Sequence, residues 1–347
     1  MSRELTVSID AMGGDAGPSV VVSALARSVQ RHPSVKFILH GDEPTLDKLL
    51  GKRRAKLAHR ISVRHAPGQV RMDDKPSLAL RRGRNTSMWH AIDSVKNGEA
   101  EAVVSAGNTG ALMAMSMFQL RLIDGISRPA IAALWPTKKG QCVVLDIGAN
   151  VECDADQLVD FAIMGEAFAR AVLGLKRPTV GLLNIGSEDV KGHDAVKGAA
   201  QILRNVSLPM EFKGFIEGDD IAEGTVDVVV TDGFTGNIAL KTAEGTAKLV
   251  ISYLRSALKR SVASRLGAFL ASGALNALRR KLDPRASNGG MFLGLNGVVV
   301  KSHGGTDALG FASATDMAID MAEGGINNSI VADRAGVPAI SREPDAT

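Results

Sequence analysis

Ala102-Val103-Val104-Ser105-Ala106-Gly107-Asn108-Thr109-Gly110-Ala111 passes from an apolar run, through a glycine loop, into a helical pattern that starts at Ala111. A strand that feeds a helix this way turns the unpaired N–H groups of the helix start outward, with the positive end of the helix dipole behind them. The loop offers hydroxyls and an amide from Ser105, Asn108 and Thr109, but no charge. Two readings stand at this point: an anion site, or a plain joint between strand and helix.

The same rhythm extends on either side. Short β-branched runs at 5–9, 35–40, 61–65, 102–105, 130–134, 142–146, 179–184, 210–215, 226–231 and 298–302 alternate with helical patterns such as 20–30, 87–96, 112–122 and 158–173. This alternation predicts an α/β protein whose mostly parallel sheet is covered on both faces. Ligands of such sheets sit beyond the carboxyl ends of the strands. Six of those ends are polar glycine loops, at 10–15, 105–110, 146–150, 184–188, 232–237 and 302–305. The expectation is that all six line one edge of the sheet and wall a single cleft.

Composition narrows the function classes. The 347 residues are 45% hydrophobic with a mean hydropathy of +0.07, as in a soluble globular chain long enough for a sizeable core. Aromatic residues make up 4%, with Tyr253 the one tyrosine, which argues against stacking platforms for single-stranded nucleic acid. Cys142 and Cys153 have neither metal-ligand nor redox spacing, and neither is expected to act as a nucleophile. The chain has no signal-peptide pattern and no bilayer-length apolar run, which predicts a cytoplasmic protein. Neither a Walker A nor a G-x-G-x-x-G pattern occurs, nor H-E-x-x-H, nor G-x-S-x-G. No cofactor and no metal are therefore expected. The aspartates at the loops would suit Mg²⁺, but the amide donors around them favour a bare anion.

The net charge of +4 is unevenly placed. Residues 246–282 contain no acid, yet carry Lys248, Arg255, Lys259, Arg260, Arg265, Arg279, Arg280 and Lys281. Val250, Leu254, Leu258, Val262 and Leu266 recur there at helical spacing, and Leu266 to Leu270, with Phe269, form an apolar tip. A basic amphipathic arm of this kind suits a membrane surface, a twin copy of the chain, or both, and not nucleic acid. The division this predicts is an α/β core at 1–242, the arm at 243–286, a return to the core at 287–332 and a loose tail at 333–347, with Pro338 and Pro344.

Charged candidates near the loops are Lys191, Lys241 and His303. Each has a plain alternative as a surface lysine or a loop cap. Asp10, Asp15, Asp146 and Asp232 stand open between acid–base groups and strand-end caps, with Asn150 beside Asp146 in the same structural role.

Taken together, these segments resemble one family, the bacterial phosphate acyltransferases (PlsX). The carrying residues are 10–15, 105–114, 145–150, 181–186 with Glu188 and Lys191-Gly192, 232–237 with Leu240-Lys241 and Glu244-Gly245, and 294–304. The likeness covers nearly the whole chain. One departure is visible: where the family usually reads Gly-Gly-Ala-Pro-Leu-Leu-Gly, this chain has Gly289-Gly290-Met291-Phe292-Leu293-Gly294. The expectation is that this reshapes the acyl pocket or the base of the arm. The resemblance implies a homodimer with a three-layer α/β/α core, similar to phosphotransacetylases and isocitrate dehydrogenase-like proteins. It further implies transfer of a long-chain acyl group from acyl carrier protein to inorganic phosphate. The acyl phosphate would pass to a glycerol-3-phosphate acyltransferase at the inner face of the cell membrane, which the arm would touch.

The residues suit that chemistry. Phosphate is already a competent nucleophile and a thiolate a fair leaving group, so the protein has to position, neutralise and stabilise an oxyanion. On this reading Ser105, Asn108, Thr109 and Gly110 bind phosphate, with Lys191 supplying charge. Asn184, Asn237 and Lys241 line the cleft, while His303 protonates the departing pantetheine sulfur or orients a neighbour. Arg81, Arg82 and Arg84, close to Lys75, either dock the acidic carrier protein or form a solvated helix face. Two alternatives remain: a short-chain phosphotransacetylase acting on acyl-CoA, and a non-catalytic membrane scaffold.

Overall fold

The computed structural model describes residues 5–51, 57, 59–275 and 289–337. Arg279, Arg280, Lys281, Pro338 and Pro344 lie outside the described residues. In chain order the strands are β1 (Thr6–Asp10), β2 (Lys36–Gly41), β3 (Ile61–His65), β4 (Ala102–Ser105), β5 (Ala130–Thr137), β6 (Gly140–Leu145), β7 (Thr179–Leu183), β8 (Glu211–Ile216), β9 (Val228–Val230), β10 (Gly290–Leu293) and β11 (Val298–Lys301). The helices are α1 (Pro18–Arg31), α2 (Glu43–Leu50), α3 (Pro76–Arg82), α4 (Ser87–Lys96), α5 (Thr109–Leu120), α6 (Ala155–Leu173), α7 (Asp194–Asn205), α8 (Gly218–Glu223), α9 (Gly233–Lys259), α10 (Val262–Leu270), α11 (Ala308–Glu323) and α12 (Ile326–Ala335).

The eleven strands form one sheet in the order β3-β2-β1-β4-β11-β10-β5-β6-β9-β7-β8. Its central strands are near-continuous buried apolar runs, Val228-Val229-Val230 being the plainest, as expected where helices cover both faces. One face packs on α1, α2, α6, α7, α11 and α12 through a core that includes Leu25, Phe161, Phe168 and Phe311. The other carries α3, α4 and α5 over one half of the sheet, around Met88, Leu112 and Phe292, and α8 with Ile221 over the other half. This is a three-layer α/β/α architecture, mostly parallel, as the sequence rhythm predicts.

The expectation of six loops on one edge fails on strand direction. β10 runs antiparallel to both neighbours, β11 and β5, and β5 runs antiparallel to β6. Three reversals therefore turn β6, β9, β7 and β8 opposite to β1, β4 and β11. Loops 10–15, 105–110 and 302–305 leave one edge, while 146–150, 184–188 and 232–237 leave the other. The sequence reading lacked β10 and could not see these reversals, because apolar alternation carries no strand direction.

Register brings the two sets closer than this suggests. Val63, Leu39, Ile9, Val104, Val300, Met291, Ala132, Leu145, Val230, Leu182 and Phe215 form one continuous cross-strand row. Asp10, Ser105 and Lys301 stand one residue beyond that row in one direction, and Asp146 and Thr231 one residue beyond it in the other. At ~3.3 Å of rise per residue, the two sets of strand ends differ by about 7 Å along the strand axis. Ile9, Val104 and Val300 belong to the first face's core. Alternation therefore puts Asp10, Ser105 and Lys301 on the face that carries α4 and α5. Ile147 and Ala149 fold onto the same face, against the Met88–Phe292 cluster.

The departure at 289–294 lies in the heart of this sheet. Met291 and Phe292 are buried on opposite faces of β10, one in each core. Their bulk fills the two layers of the core, and residues 276–288, which lead from the arm into β10, lie outside the described residues.

α9 begins on Asp232 and runs unbroken past residue 243. Beyond Gly236 no residue of it is buried, and α10 has none. Val250, Leu254, Leu266, Phe269 and Leu270 are exposed, Phe269 and Leu270 at 74% and 77%, while Leu258 is half-buried. Among the described residues no helix is long and apolar enough to cross a membrane.

Candidate active site

The ends of β1, β4 and β11 build the first cluster around a buried carboxylate. Asp10 accepts hydrogen bonds from Ser105 Oγ and Ser87 Oγ, each at 2.6 Å, and from the Met12 N–H at 3.3 Å. Burial pushes its pKa up, against the pull of these donors. Ser105 Oγ in turn accepts the Gly107 N–H at 3.0 Å. A methyl group at Gly13 would stand 2.6 Å from Asp10 Oδ2 and 2.7 Å from the Gly107 nitrogen, so the turn at 10–15 needs glycine there. The Asp15 N–H donates to the Gly304 carbonyl at 2.9 Å, joining loops 10–15 and 302–305, and the Asp15 side chain is exposed.

Asn108 caps α5. Its Oδ1 accepts the Ala111 N–H at 3.0 Å, and its Nδ2 donates to the carbonyls of Met72 and Asp74, each at 2.9 Å. The side-chain amide assigned to phosphate is thus committed to the helix start and to the 71–75 segment. Thr109 is exposed, and the N–H groups of Thr109 and Gly110 have no carbonyl a turn behind them within the helix. Lys75 is exposed beside this opening, where Pro76 packs against Gly110, and Arg81, Arg82 and Arg84 are exposed further along α3 and just past its end. His303 is exposed, and its Nδ1 accepts the Gly305 N–H at 3.2 Å. That bond assigns the proton of the neutral ring to Nε2.

The second cluster is chiefly structural. Asp146, fully buried, accepts from the N–H groups of Ile131, Gly148, Ala149 and Asn150 and from Asn150 Nδ2, at 2.7–3.1 Å. Asn150 also donates to the Pro129 carbonyl at 2.8 Å. Asp232 caps α9 through the Thr235 N–H and hydroxyl, both at 2.8 Å. Asn237 is exposed one turn into α9, facing Gly148. Burial pushes the thiols of Cys142 and Cys153 up to about 12, with Asp146 and Asp232 adding to the rise at Cys153. Neither is a thiolate at neutral pH.

Asn184 and Lys191 make a third cluster at the end of β7. Asn184 Nδ2 donates to the carbonyls of Gly186 and Lys191, both at 3.1 Å. Lys191 Nζ pairs with Glu188 at 2.9 Å, and this hydrogen bond raises the lysine pKa. Lys241 pairs with Glu244 at 2.9 Å on the exposed face of α9. Asp10, Ser105, Asn108, Thr109 and His303 therefore gather on one edge. Asn184, Lys191, Asp232 and Asn237 belong to the other.

Two residues of the first cluster were missed as functional candidates. Ser87 gives no sequence signal. Lys301 does, as a charge closing the otherwise apolar run Val298-Val299-Val300. Among the described residues, no group of three or more His, Cys, Asp or Glu side chains is arranged to hold a metal ion.

Residues 5–329 match the model of the family described as fatty acid synthesis protein. A phosphate acyltransferase of Parvibaculum lavamentivorans is 59% identical over 334 residues, covering 96% of this chain and 92% of that protein. One from Sinorhizobium fredii is 56% identical over 331 residues, with 95% of each covered. Among solved structures, a phosphotransacetylase from Streptococcus pyogenes superimposes with a TM-score of 0.63 at 18% identity, over 93% of this chain and 95% of that one, a likeness of fold.

Proposed function

The chain belongs to the fatty acid synthesis protein family and is a phosphate acyltransferase, and from that premise we propose that it moves a long-chain acyl group from acyl carrier protein to inorganic phosphate. The observation that carries the reading is the exposed start of α5. There the outward N–H groups of Thr109 and Gly110 and the Thr109 hydroxyl form a donor set without fixed charge, suited to an anion that must also react. Phosphate held there attacks the thioester carbon. The carbonyl oxygen takes the developing charge, and collapse of the tetrahedral intermediate expels the pantetheine thiolate, leaving acyl phosphate. His303, with its proton on Nε2, stands on the same edge to protonate that sulfur. Lys191 and Lys241 offset charge from the other edge once the acyl donor fills the space between, with Asn237 as a neutral hydrogen-bond partner there and Asn184 holding the Lys191 loop.

Lys75, Arg81, Arg82 and Arg84 fit an acidic carrier protein that delivers its thioester to the start of α5. The exposed apolar residues of α9 and α10 fit a membrane surface and a twin copy of the chain. This would place acyl phosphate beside a glycerol-3-phosphate acyltransferase.

The test is a comparison of donors. Purified protein is given phosphate with either palmitoyl carrier protein or acetyl-CoA, and acyl phosphate is trapped as its hydroxamate against a phosphate-free control. Strong preference for the carrier-protein thioester supports the reading. Preference for acetyl-CoA indicates a short-chain phosphotransacetylase, and no phosphate-dependent cleavage of either indicates a scaffold.

A further inference from the structure

The loop that opens α5 has no charge of its own, but a charge lies directly beneath it. Lys301 ends β11 in register with Ser105, which is in register with Asp10. The lysine is 7% exposed, and its Nζ donates to the carbonyl of Ala106, inside the loop, at 3.3 Å and to that of Ser302. The Ser302 N–H donates to the Ser105 carbonyl at 2.9 Å, so the two loops are laced together at this point. An ammonium that draws the Ala106 carbonyl inward orients the peptide units after it, the ones whose N–H groups face out. A buried lysine is costly to keep charged unless something nearby uses the charge.

We propose that Lys301 is the positioning residue of the 105–110 loop, fixing the Ala106 carbonyl from below and setting a positive charge behind the N–H groups that meet phosphate. This rests on the reading of that loop as the phosphate site. The charged groups that act on Lys301 are Asp10 from β1, itself bonded by the neutral Ser87 of α4, and Asp15 from the following loop. Burial lowers the lysine pKa to about 8, with Asp10 and Asp15 opposing the fall. Most of its charge is present at pH 7 and it fades as pH rises through 8.

The test separates charge from packing. Lys301→Met removes both charge and donor, and Lys301→Gln keeps a donor without charge. Both are expected to raise the phosphate KM about tenfold or more, with the acyl-donor KM within about twofold of the parent. A folded Gln variant with the parent's phosphate KM overturns the proposal. Should neither variant fold, the parent protein decides. Its thermal stabilisation by inorganic phosphate should fall between pH 7 and 9, although phosphate itself gains charge over that range, and a rise overturns the proposal. If the parent shows no saturation with phosphate at all, the underlying reading of the loop fails instead.

Discussion

Asn108→Ala separates a tether from a ligand. The substitution removes the cap on the Ala111 N–H, at 3.0 Å, and the two bonds of 2.9 Å that hold the Met72 and Asp74 carbonyls. Loss of an Asn cap costs ~1 kcal/mol. The tethering bonds, half-buried at best, are worth ~0.5–1 kcal/mol each. The total is about 2–3 kcal/mol. Unfolding entropy of ~2.1 cal/mol/K per residue over a chain of this length converts that to a fall in Tm of about 3–4 °C. Asn108→Ser keeps a capping oxygen and loses the tether, so it should recover about 1 kcal/mol of the loss. Thermal melts followed by circular dichroism, with phosphate titrations of the same samples, give both quantities. An Asn108→Ala protein that melts with the parent but binds phosphate at least tenfold more weakly would refute this reasoning, and would make the amide a phosphate ligand.

Lys191→Ala should leave the Tm close to the parent's, since its pair with Glu188 is exposed, while lowering turnover well below the parent's; near-normal acyl phosphate formation removes Lys191 from the mechanism. Burial lifts the Glu166 carboxyl up to about 8, with Asp333 adding to the rise and Arg170 opposing it. The folded state therefore holds this proton after the unfolded chain has released it, and the group's contribution to stability falls as pH rises from about 4.5 to 8. Glu166→Gln should flatten that part of the profile in urea melts at several pH values; an unchanged slope contradicts the burial argument. Phe269→Glu with Leu270→Glu should leave Tm within 1–2 °C, as neither side chain is buried, and should abolish sedimentation with anionic vesicles; full retention on vesicles excludes the arm tip as the contact.

Much of the architecture was legible. Apolar runs marked ten of the eleven described strands: those inside the sheet are buried on two faces and need a continuous apolar stretch, while the edge strands β3 and β8 interleave buried with exposed residues. β10 escaped: Gly290-Met291-Phe292-Leu293 is short, opens on the second of two glycines, and carries no β-branched residue. Missing it hid a reversal, and with it the division of the loops between two edges. At the site, the polar residue types were legible and their bonding partners were not. Asn108, Asp146 and Asp232 are residue types that suit ligands and caps equally well, and only geometry shows that their polar atoms are committed to backbone partners. Lys301 was visible as an odd charge in an apolar run, but its placement beneath Ala106 depends on the pairing of β4 with β11, which local sequence does not encode.

Everything proposed for the start of α5 depends on free phosphate being the acyl acceptor. The direct measurement follows radiolabelled orthophosphate, supplied with long-chain acyl carrier protein, into an organic-extractable acyl phosphate. Label is expected in that fraction, saturable in phosphate and matched mole for mole by free carrier-protein thiol. Thiol release without labelled product would contradict it, and would make the chain a thioester hydrolase.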